Sequence, residues 1–438
     1  MQFKYFPHTE EDISRMLRAC GLETLGDLYS DLPENVKLKG GYDIPSAMGE
    51  LELRRHIDGL CSKNKQLVCF AGGGVYDHYT PAVIPSLVAR SEFRTSYTPY
   101  QAEISQGTLH YIFEFQSMMA ELTGMDVSNA CMYDGATATA EAVMMADANS
   151  KKSNRVLVSE TIDPKVMEVV KTYARFRGVE IVPVAAEDGA TSRKDLADKL
   201  AGGAAGVVVQ QPNYYGVVED FTGLAEECHA AKALLVINSV AADLALLKTP
   251  AEWGADIAVG ECQSLGIPMS YGGPYVGYMC CTEKLIRKLP GRIVGKTLDK
   301  NGQRAFVLTL QAREQHIRRQ KATSNICSNE SLMALFATIY MSIMGKEGVK
   351  EAAQASYDGA HYLHSRLIET GLFKPTFNRP FFNEFCVDYR GDAAKLHKRL
   401  GEAGFLAGLL VGGNTIMFAV TEKRTKEEID QLVALCHE

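Results

Sequence analysis

A chain of 438 residues with a formal net charge of -7 is long enough for two or three domains, and it lacks the basic balance that nucleic-acid binding favours. Its 46% hydrophobic and 23% charged residues are typical of a soluble globular protein, and no stretch approaches the roughly 20 apolar residues of a membrane span. Eleven cysteines without a C-x-x-C pair predict free thiols in a reducing cytosol and no metal site. With no leader pattern at the N-terminus, we expect a cytoplasmic protein with neither membrane nor nucleic-acid partners.

Residues 1–70 are predicted to form an N-terminal helical arm. Thr9 is a candidate N-cap before three acidic residues and apolar residues at helical spacing, and Gly21 is expected to end this helix. A short helix before Pro33 and another over residues 49–63 follow. Such an arm usually packs on a larger domain or on a partner.

Two stretches in the first third combine turn-forming and polar residues. A glycine cluster at 72–74 permits positive φ angles, and a tight connecting loop is favoured over direct ligand contact. Residues 94–107 place Tyr97, Tyr100 and Gln101 around a proline, just before a helix predicted over 109–123. Tyrosine and glutamine offer neutral donors at a cleft rim, but this stretch alone favours tyrosines that only cover the start of the helix.

A turn of small residues at 132–142 opens an alanine-rich helix. Backbone N–H groups and hydroxyls at such a helix N-terminus can bind a phosphate. The pattern alone is weak, because small residues also cap helices that pack closely on sheets. Asp134 beside the turn is unfavourable for an anion site.

Strands and helices alternate from Arg155 onward. Strands are predicted over 156–159, 179–184, 206–210, 234–238 and 255–259, and helices over 163–174, 196–200 and 224–231. Continuous apolar runs separated by helices predict a mostly parallel sheet with helices on both faces and ligands at the carboxyl ends of the strands. Residues 71–305 are therefore predicted to form a large α/β domain.

The last third is predicted to be helical at first and then mixed. Residues 291–297 resemble a phosphate-binding loop, but their spacing is one residue short and no strand precedes them. Helices are predicted over 308–320, 330–344, 349–370, 393–403 and 426–435, and strands over 384–388 and 415–420. Residues 306–438 should thus hold connecting helices and a small α+β C-terminal domain.

Five stretches carry a resemblance to a known family: 96–107 (SYTPYQAEISQG), 134–138 (DGATA), 260–266 (GECQSLG), 271–277 (YGGPYVG) and 318–327 (RRQKATSNIC). Together they resemble the glycine cleavage system P-protein (glycine dehydrogenase, decarboxylating), in particular the alpha subunit, or subunit 1, of its two-chain form. The resemblance covers essentially the whole chain. It implies an α/β chain with the fold of fold-type I pyridoxal-phosphate (PLP) transferases, a large domain with a mostly parallel sheet and a small α+β C-terminal domain.

The resemblance also implies an activity, a cofactor and partners. P-protein decarboxylates glycine and transfers the aminomethyl group to the lipoyl arm of H-protein, and the two-chain form is expected to be a heterotetramer. A lysine of the beta subunit holds PLP covalently, whereas the matching positions here are Gln263 and Ser264. Asn238 stands where an aspartate would pair with the pyridine nitrogen. We therefore expect this chain to have no catalytic residue, bound cofactor or metal of its own and to be inactive alone.

What remains is a role at the interface, because neighbouring subunits of such enzymes commonly supply groups to the cofactor. We predict that this chain completes the beta subunit's active site through six residues: Tyr97, Tyr100 and Gln101 at the cleft, and Thr323, Ser324 and Asn325 as donors to the cofactor phosphate. Each residue could instead only shape the interface. Two further hypotheses are a catalytically silent scaffold that stabilises the beta subunit and docks H-protein, and a stand-alone aminotransferase or lyase that uses another lysine.

Overall fold

The computed structural model describes residues 5–322, 324–327 and 329–437, and the chain divides into the units Met1–Lys65 and Gln66–Glu438. The first unit contains helices α1 (Glu10–Ala19) and α2 (Glu50–Cys61) and a short 3₁₀ helix over Leu25–Tyr29. Thr9 is the N-cap of α1: its hydroxyl accepts from the Asp12 N–H at 3.2 Å, and the Asp12 carboxylate accepts from the Thr9 N–H at 3.0 Å. This reciprocal pair forms the predicted helix start.

The second unit contains the remaining helices and all the named strands. Its helices are α3 (Val83–Val88), α4 (Gln106–Thr123), α5 (Gly135–Asn149), α6 (Pro164–Arg177), α7 (Arg193–Ala201), α8 (Leu224–Ala230), α9 (Gln315–Arg318), α10 (Ser331–Glu369), α11 (Ala393–Glu402) and α12 (Lys426–Leu435). Its strands are β1 (Val68–Cys69), β2 (Val127–Ser128), β3 (Arg155–Ser159), β4 (Glu180–Val184), β5 (Ala186–Glu187), β6 (Ala190–Thr191), β7 (Gly206–Gln210), β8 (Leu234–Asn238), β9 (Ile257–Glu261), β10 (Gly277–Cys281), β11 (Ile293–Leu298), β12 (Arg304–Thr309), β13 (Phe373–Pro375), β14 (Glu384–Tyr389), β15 (Phe405–Leu406), β16 (Leu409–Gly412) and β17 (Thr415–Ala419).

The central sheet has seven strands in the order β2-β10-β9-β8-β7-β3-β4. The five strands from β9 to β4 are parallel, and β10 pairs antiparallel with both β9 and β2. The strands are continuous apolar runs because helices cover both faces, and buried clusters lie on each side. The predicted α/β fold class is confirmed. The carboxyl ends of β7 and β8 place Gln210 directly opposite Asn238.

The C-terminal part is the predicted small α+β module. Strands β13, β14, β17 and β16 form an antiparallel sheet in that order, and α11, α12 and the second half of α10 contribute to its core. Strand β1 pairs in parallel with β15, so the chain enters the second unit through this module. Among the described residues, α10 alone has the length and apolar composition of a membrane span. It breaks at Gly345, where φ is 59°, and contributes buried residues to two of the hydrophobic cores.

The helix predicted over 308–320 is wrong. Its first part belongs to β12, which pairs antiparallel with β11 from Ile293 opposite Thr309 to Leu298 opposite Arg304. Positive φ angles of 53° at Leu310 and 54° at Arg319 interrupt the remainder, which forms the one-turn helix α9 between two 3₁₀ turns. The spacing of apolar residues suggested a helix, but pairing with β11 stabilises β12 as a strand, and this pairing cannot be seen in the sequence of residues 304–309. The same hairpin places residues 293–297 in a strand, so they form no phosphate-binding loop.

Candidate functional site

Gln263 and Ser264 follow β9 and are both buried. The Gln263 side chain has no solvent exposure, and its Oε1 accepts from the Tyr76 N–H at 2.9 Å. Its Nε2 donates to the carbonyl oxygens of Tyr76 at 2.9 Å and Ile267 at 2.7 Å. The Ser264 Oγ accepts from the Ala242 N–H at 3.2 Å. Both side chains are thus engaged in holding neighbouring backbone segments.

Glu261 closes the N-terminus of α5. Its Oε2 accepts from the Gly135 N–H at 2.9 Å, and its Oε1 accepts from the N–H groups of Cys262 at 3.0 Å and Gln263 at 3.1 Å. Asp134 caps the same helix by accepting from the Thr137 N–H at 2.7 Å. Burial raises the pKa of Glu261 to about 8, while the Gly135 hydrogen bond acts in the opposite direction. The helix terminus with the anion-binding pattern therefore holds two carboxyl groups of the chain itself.

A buried carboxyl group joins the glycine loop to the C-terminal module. Glu384, at the start of β14, accepts from the Gly73 N–H at 2.7 Å and from the Tyr76 hydroxyl at 2.9 Å. A Cβ at Gly72 would lie 2.2 Å from Glu384 Oε1, so the loop passes too close for a side chain there. Since Tyr76 also hydrogen-bonds Gln263, one continuous network runs from the end of β9 to β14.

This network predicts that stability falls with rising pH. Burial raises the pKa of Glu384 to about 7, against about 4.3 for an ordinary glutamate. The folded state thus binds more protons than the unfolded chain between these values, so the contribution is greatest at acidic pH and is lost as pH approaches 8. We expect Glu384 to account for a loss of about 2 kcal/mol in the free energy of unfolding between pH 5 and pH 8.

Urea unfolding of the wild type and of Glu384→Gln across that pH range measures this contribution. The Gln variant should show a shallower pH slope, and Glu402→Gln, at an exposed position of α11, should keep the wild-type slope. Equal slopes in the wild type and Glu384→Gln would show that Glu384 is ionised throughout.

A second polar cluster lies in the stretch before α4. Tyr97 is 90% exposed, Tyr100 is 47% exposed and Gln101 is exposed. The Tyr100 hydroxyl lies 3.6 Å from Cys327 Sγ, so two motifs more than 200 residues apart in sequence meet on the surface. The sequence singled out both motifs without indicating that they touch.

The segment 324–327 provides the other side of this cluster. The Ser324 hydroxyl donates to Glu141 Oε1 at 2.9 Å, and Asn325 is exposed. Both line a cavity of about 540 Å³ that Glu141 also borders. Burial raises the pKa of Glu141 to about 7. Thr323 lies outside the described residues.

Arg292 lies beside this cluster, and no sequence pattern predicted that position. The only pattern that includes it is the rejected phosphate-binding loop, in which an arginine has no role.

The described residues contain no group of three or more histidine, cysteine, aspartate or glutamate side chains arranged to hold a metal ion.

Comparison with solved structures defines the fold first. The fold is similar to a sphingosine-1-phosphate lyase from Burkholderia pseudomallei, with a TM-score of 0.68, 12% identity and coverage of 92% of this chain and 94% of that chain. It is also similar to an alanine–glyoxylate aminotransferase from Nostoc, with a TM-score of 0.60, 16% identity and coverage of 85% and 95%. The chain therefore has the fold-type I architecture of PLP-dependent enzymes.

The glycine cleavage system P-protein family model matches residues 3–436. A glycine decarboxylase (P-protein) of the glycine cleavage system, solved in inhibitor-bound form, has a TM-score of 0.90 and 41% identity, with 99% of each chain covered. Relatives named probable glycine dehydrogenase (decarboxylating) subunit 1 are 50% identical in Moorella thermoacetica and 47% identical in Bacillus pumilus, each with 98% or more of both chains covered. The chain belongs to the glycine cleavage system P-protein family.

Proposed function

We propose that this chain is the subunit of a two-chain, cytoplasmic P-protein that lacks the PLP lysine and completes the active site of a beta subunit. The complex decarboxylates glycine and transfers the aminomethyl group to the lipoyl arm of H-protein. When bound to the beta subunit, PLP supplies an electron sink for the carbanion left by loss of CO2. The residues of this chain contribute by shaping and lining the cleft.

The arrangement at the end of β9 carries the proposal. Covalent attachment of PLP needs an amine, and Gln263 and Ser264 provide none. The carboxyl groups of Glu261 and Asp134 face the α5 N–H groups that a phosphate would need. The neutral amide of Asn238 cannot stabilise a pyridinium as a carboxylate would. These residues do not fit PLP, so we place the cofactor on the beta subunit.

The polar cluster of Tyr97, Tyr100 and Asn325 supports the interfacial role. These side chains are exposed on the isolated chain. Tyrosine is enriched at subunit interfaces, so exposed tyrosines are what we expect of a surface that a partner covers. Their hydroxyl and amide groups can donate hydrogen bonds to a phosphate or a carboxylate. The name subunit 1 carried by the full-length relatives agrees with an assembly of more than one kind of chain.

An absorbance spectrum separates this proposal from a stand-alone PLP enzyme. The isolated chain mixed with PLP should show no band at about 420 nm, the region in which lysine-bound PLP absorbs. The band should appear after a beta subunit is added. A band from this chain alone would show that one of its own lysines binds the cofactor.

Tyr100→Phe tests whether the chain contributes side chains or only a scaffold. The variant loses one hydroxyl and keeps the ring, so the reconstituted complex should form normally but decarboxylate glycine about tenfold more slowly, the usual scale for one lost hydrogen bond to a charged group. Tyr389→Phe, in the C-terminal module, is the matched control and should retain full activity. Unchanged glycine decarboxylation and unchanged PLP affinity in Tyr100→Phe would favour the silent scaffold.

A further inference from the structure

Arg292 contacts both of the segments assigned to the interface. Its Nη2 lies 3.3 Å from Cys327 Sγ and 3.5 Å from Thr98 Oγ1. Its guanidinium carbon lies 5.4 Å from the centroid of the Tyr100 ring, within the range of a cation–π interaction. One side chain therefore connects the stretch before α4 with the segment 324–327.

The surroundings of Arg292 keep it in place. Its side chain is 3% exposed, and its carbonyl oxygen accepts from the Ala130 N–H at 2.8 Å, just before β11. Its counter-charge is Glu314, whose Oε2 lies 4.0 Å from Arg292 Nε and whose side chain is also buried. Removing one member of a buried ion pair leaves the other charge uncompensated. A replacement that keeps the charge is therefore the informative one.

Several polar atoms of this ion pair have no hydrogen-bond partner within the part of the chain that the structure describes. They are Arg292 Nε and both carboxylate oxygens of Glu314. Nearly all buried polar groups in native proteins are hydrogen-bonded. Local arrangements that sacrifice stability in this way are expected at functional sites. The pair is better explained by what Arg292 holds than by its own contribution to folding.

We propose that Arg292 is a positioning residue of the glycine-decarboxylating complex. It fixes Tyr100 and the segment 324–327 in one arrangement, so that both present their polar groups to the beta subunit's active site. The inference rests on the proposed function. Arginine suits this task because its planar guanidinium carries several donors in a rigid fork and stacks on aromatic rings, whereas the lysine ammonium is a flexible point charge. Arg292 acts through Tyr100 and does not touch the substrate.

The test is a double-mutant cycle in the reconstituted complex with Arg292→Lys, Tyr100→Phe and the double variant. Arg292→Lys keeps the charge beside Glu314 but loses the fork. It should lower kcat for glycine decarboxylation about tenfold, a scale set by small misplacements in active sites. The dissociation constant between the subunits should stay within about twofold, because Arg292 is buried in its own chain. The double variant should be no more than about twofold slower than the slower single variant.

Each other outcome decides against a specific claim. A double variant about a hundredfold slower would mean independent effects and would overturn positioning through Tyr100. Full activity in Arg292→Lys with a slow Tyr100→Phe would overturn the role of Arg292 and leave the proposed function intact. Full activity in Tyr100→Phe would overturn the proposal that side chains of this chain complete the active site, and it would favour the silent scaffold.

Two further variants keep the test decisive. Arg424→Lys is the matched control, because Arg424 is also a buried arginine near a carboxylate, Asp77, and lies 5.9 Å from the Phe70 ring centroid in the C-terminal module. It should leave kcat unchanged. If Arg292→Lys does not assemble, Cys327→Ala removes the contact to both Arg292 and Tyr100 without altering the buried charge. Cys327→Ala should lower kcat about threefold when it is the only substitution, and it should leave kcat unchanged when Tyr100→Phe is already present. Equal effects in the two backgrounds would overturn the inference.

Discussion

Replacing Gln263 by lysine should destabilise the chain and should not create a cofactor site. The lysine would leave the Tyr76 N–H without its acceptor and would bring an amine into a position with no solvent exposure. We expect the free energy of unfolding of the isolated chain to fall by about 3 kcal/mol, the scale for an unsatisfied buried donor and a poorly accommodated polar group. Urea denaturation measures this loss. When PLP is added, no absorbance band should appear at about 420 nm.

The control for this substitution is Gln303→Lys. Gln303 is exposed in the turn between β11 and β12, so the same chemical change should alter stability by less than about 0.5 kcal/mol. A Gln263→Lys chain that binds PLP as an absorbing adduct would show that the carboxyl groups of Glu261 and Asp134 at the α5 N-terminus do not prevent cofactor binding.

Replacing Gly216 by alanine is expected to cost about 4 kcal/mol, the sum of a left-handed backbone and an overpacked contact. Gly216 has a φ of 80°, and a Cβ there would lie 1.9 Å from the Glu384 carbonyl oxygen. The β14 strand would have to move away, and Glu384 would be drawn from Gly73 and Tyr76. A large fall in the midpoint of urea unfolding is the expected measurement.

Gly203→Ala separates the two causes of that loss. Gly203 has nearly the same φ of 81°, but a Cβ there would meet no atom within 4 Å. The control should therefore show only the conformational cost of about 1 kcal/mol. If the free energy of unfolding falls equally in Gly216→Ala and Gly203→Ala, the close approach of Gly216 to β14 is not the reason that glycine is needed there.

The parts of the fold that sequence predicted well are those specified locally. Strands β7 and β8 begin and end at the predicted residues, because their apolar runs are bounded by glycine or by polar residues. Helix α12 also matches, since Thr425 and Glu428 form a reciprocal cap at its start. Strand β12 could not be found in this way, because a hairpin strand depends on a partner that its own periodicity does not reveal.

In the candidate site too, sequence predicted what depends on residue type and missed what depends on contacts between distant residues. The resemblance and the residue types at 263 and 264 predict that this chain holds no attached cofactor, since neither side chain is an amine. The closure of the α5 terminus by Glu261 could not be inferred, because Gly135 is 126 residues away in the chain. Residues 97–101 stood out by composition and residues 323–327 by the family resemblance, but the contact between Tyr100 and Cys327 requires the folded chain. No sequence pattern indicated a role for Arg292, because the role proposed for it depends on its contacts in the folded chain.

Glu261 has a consequence for how the amount of this chain depends on nutrition. Because the Glu261 and Asp134 side chains accept the N–H groups at the α5 terminus, that terminus is capped by the polypeptide itself. Its folding is then independent of vitamin B6 supply, unlike that of a protein stabilised by a bound ligand. We expect cells short of the vitamin to accumulate this chain at normal levels.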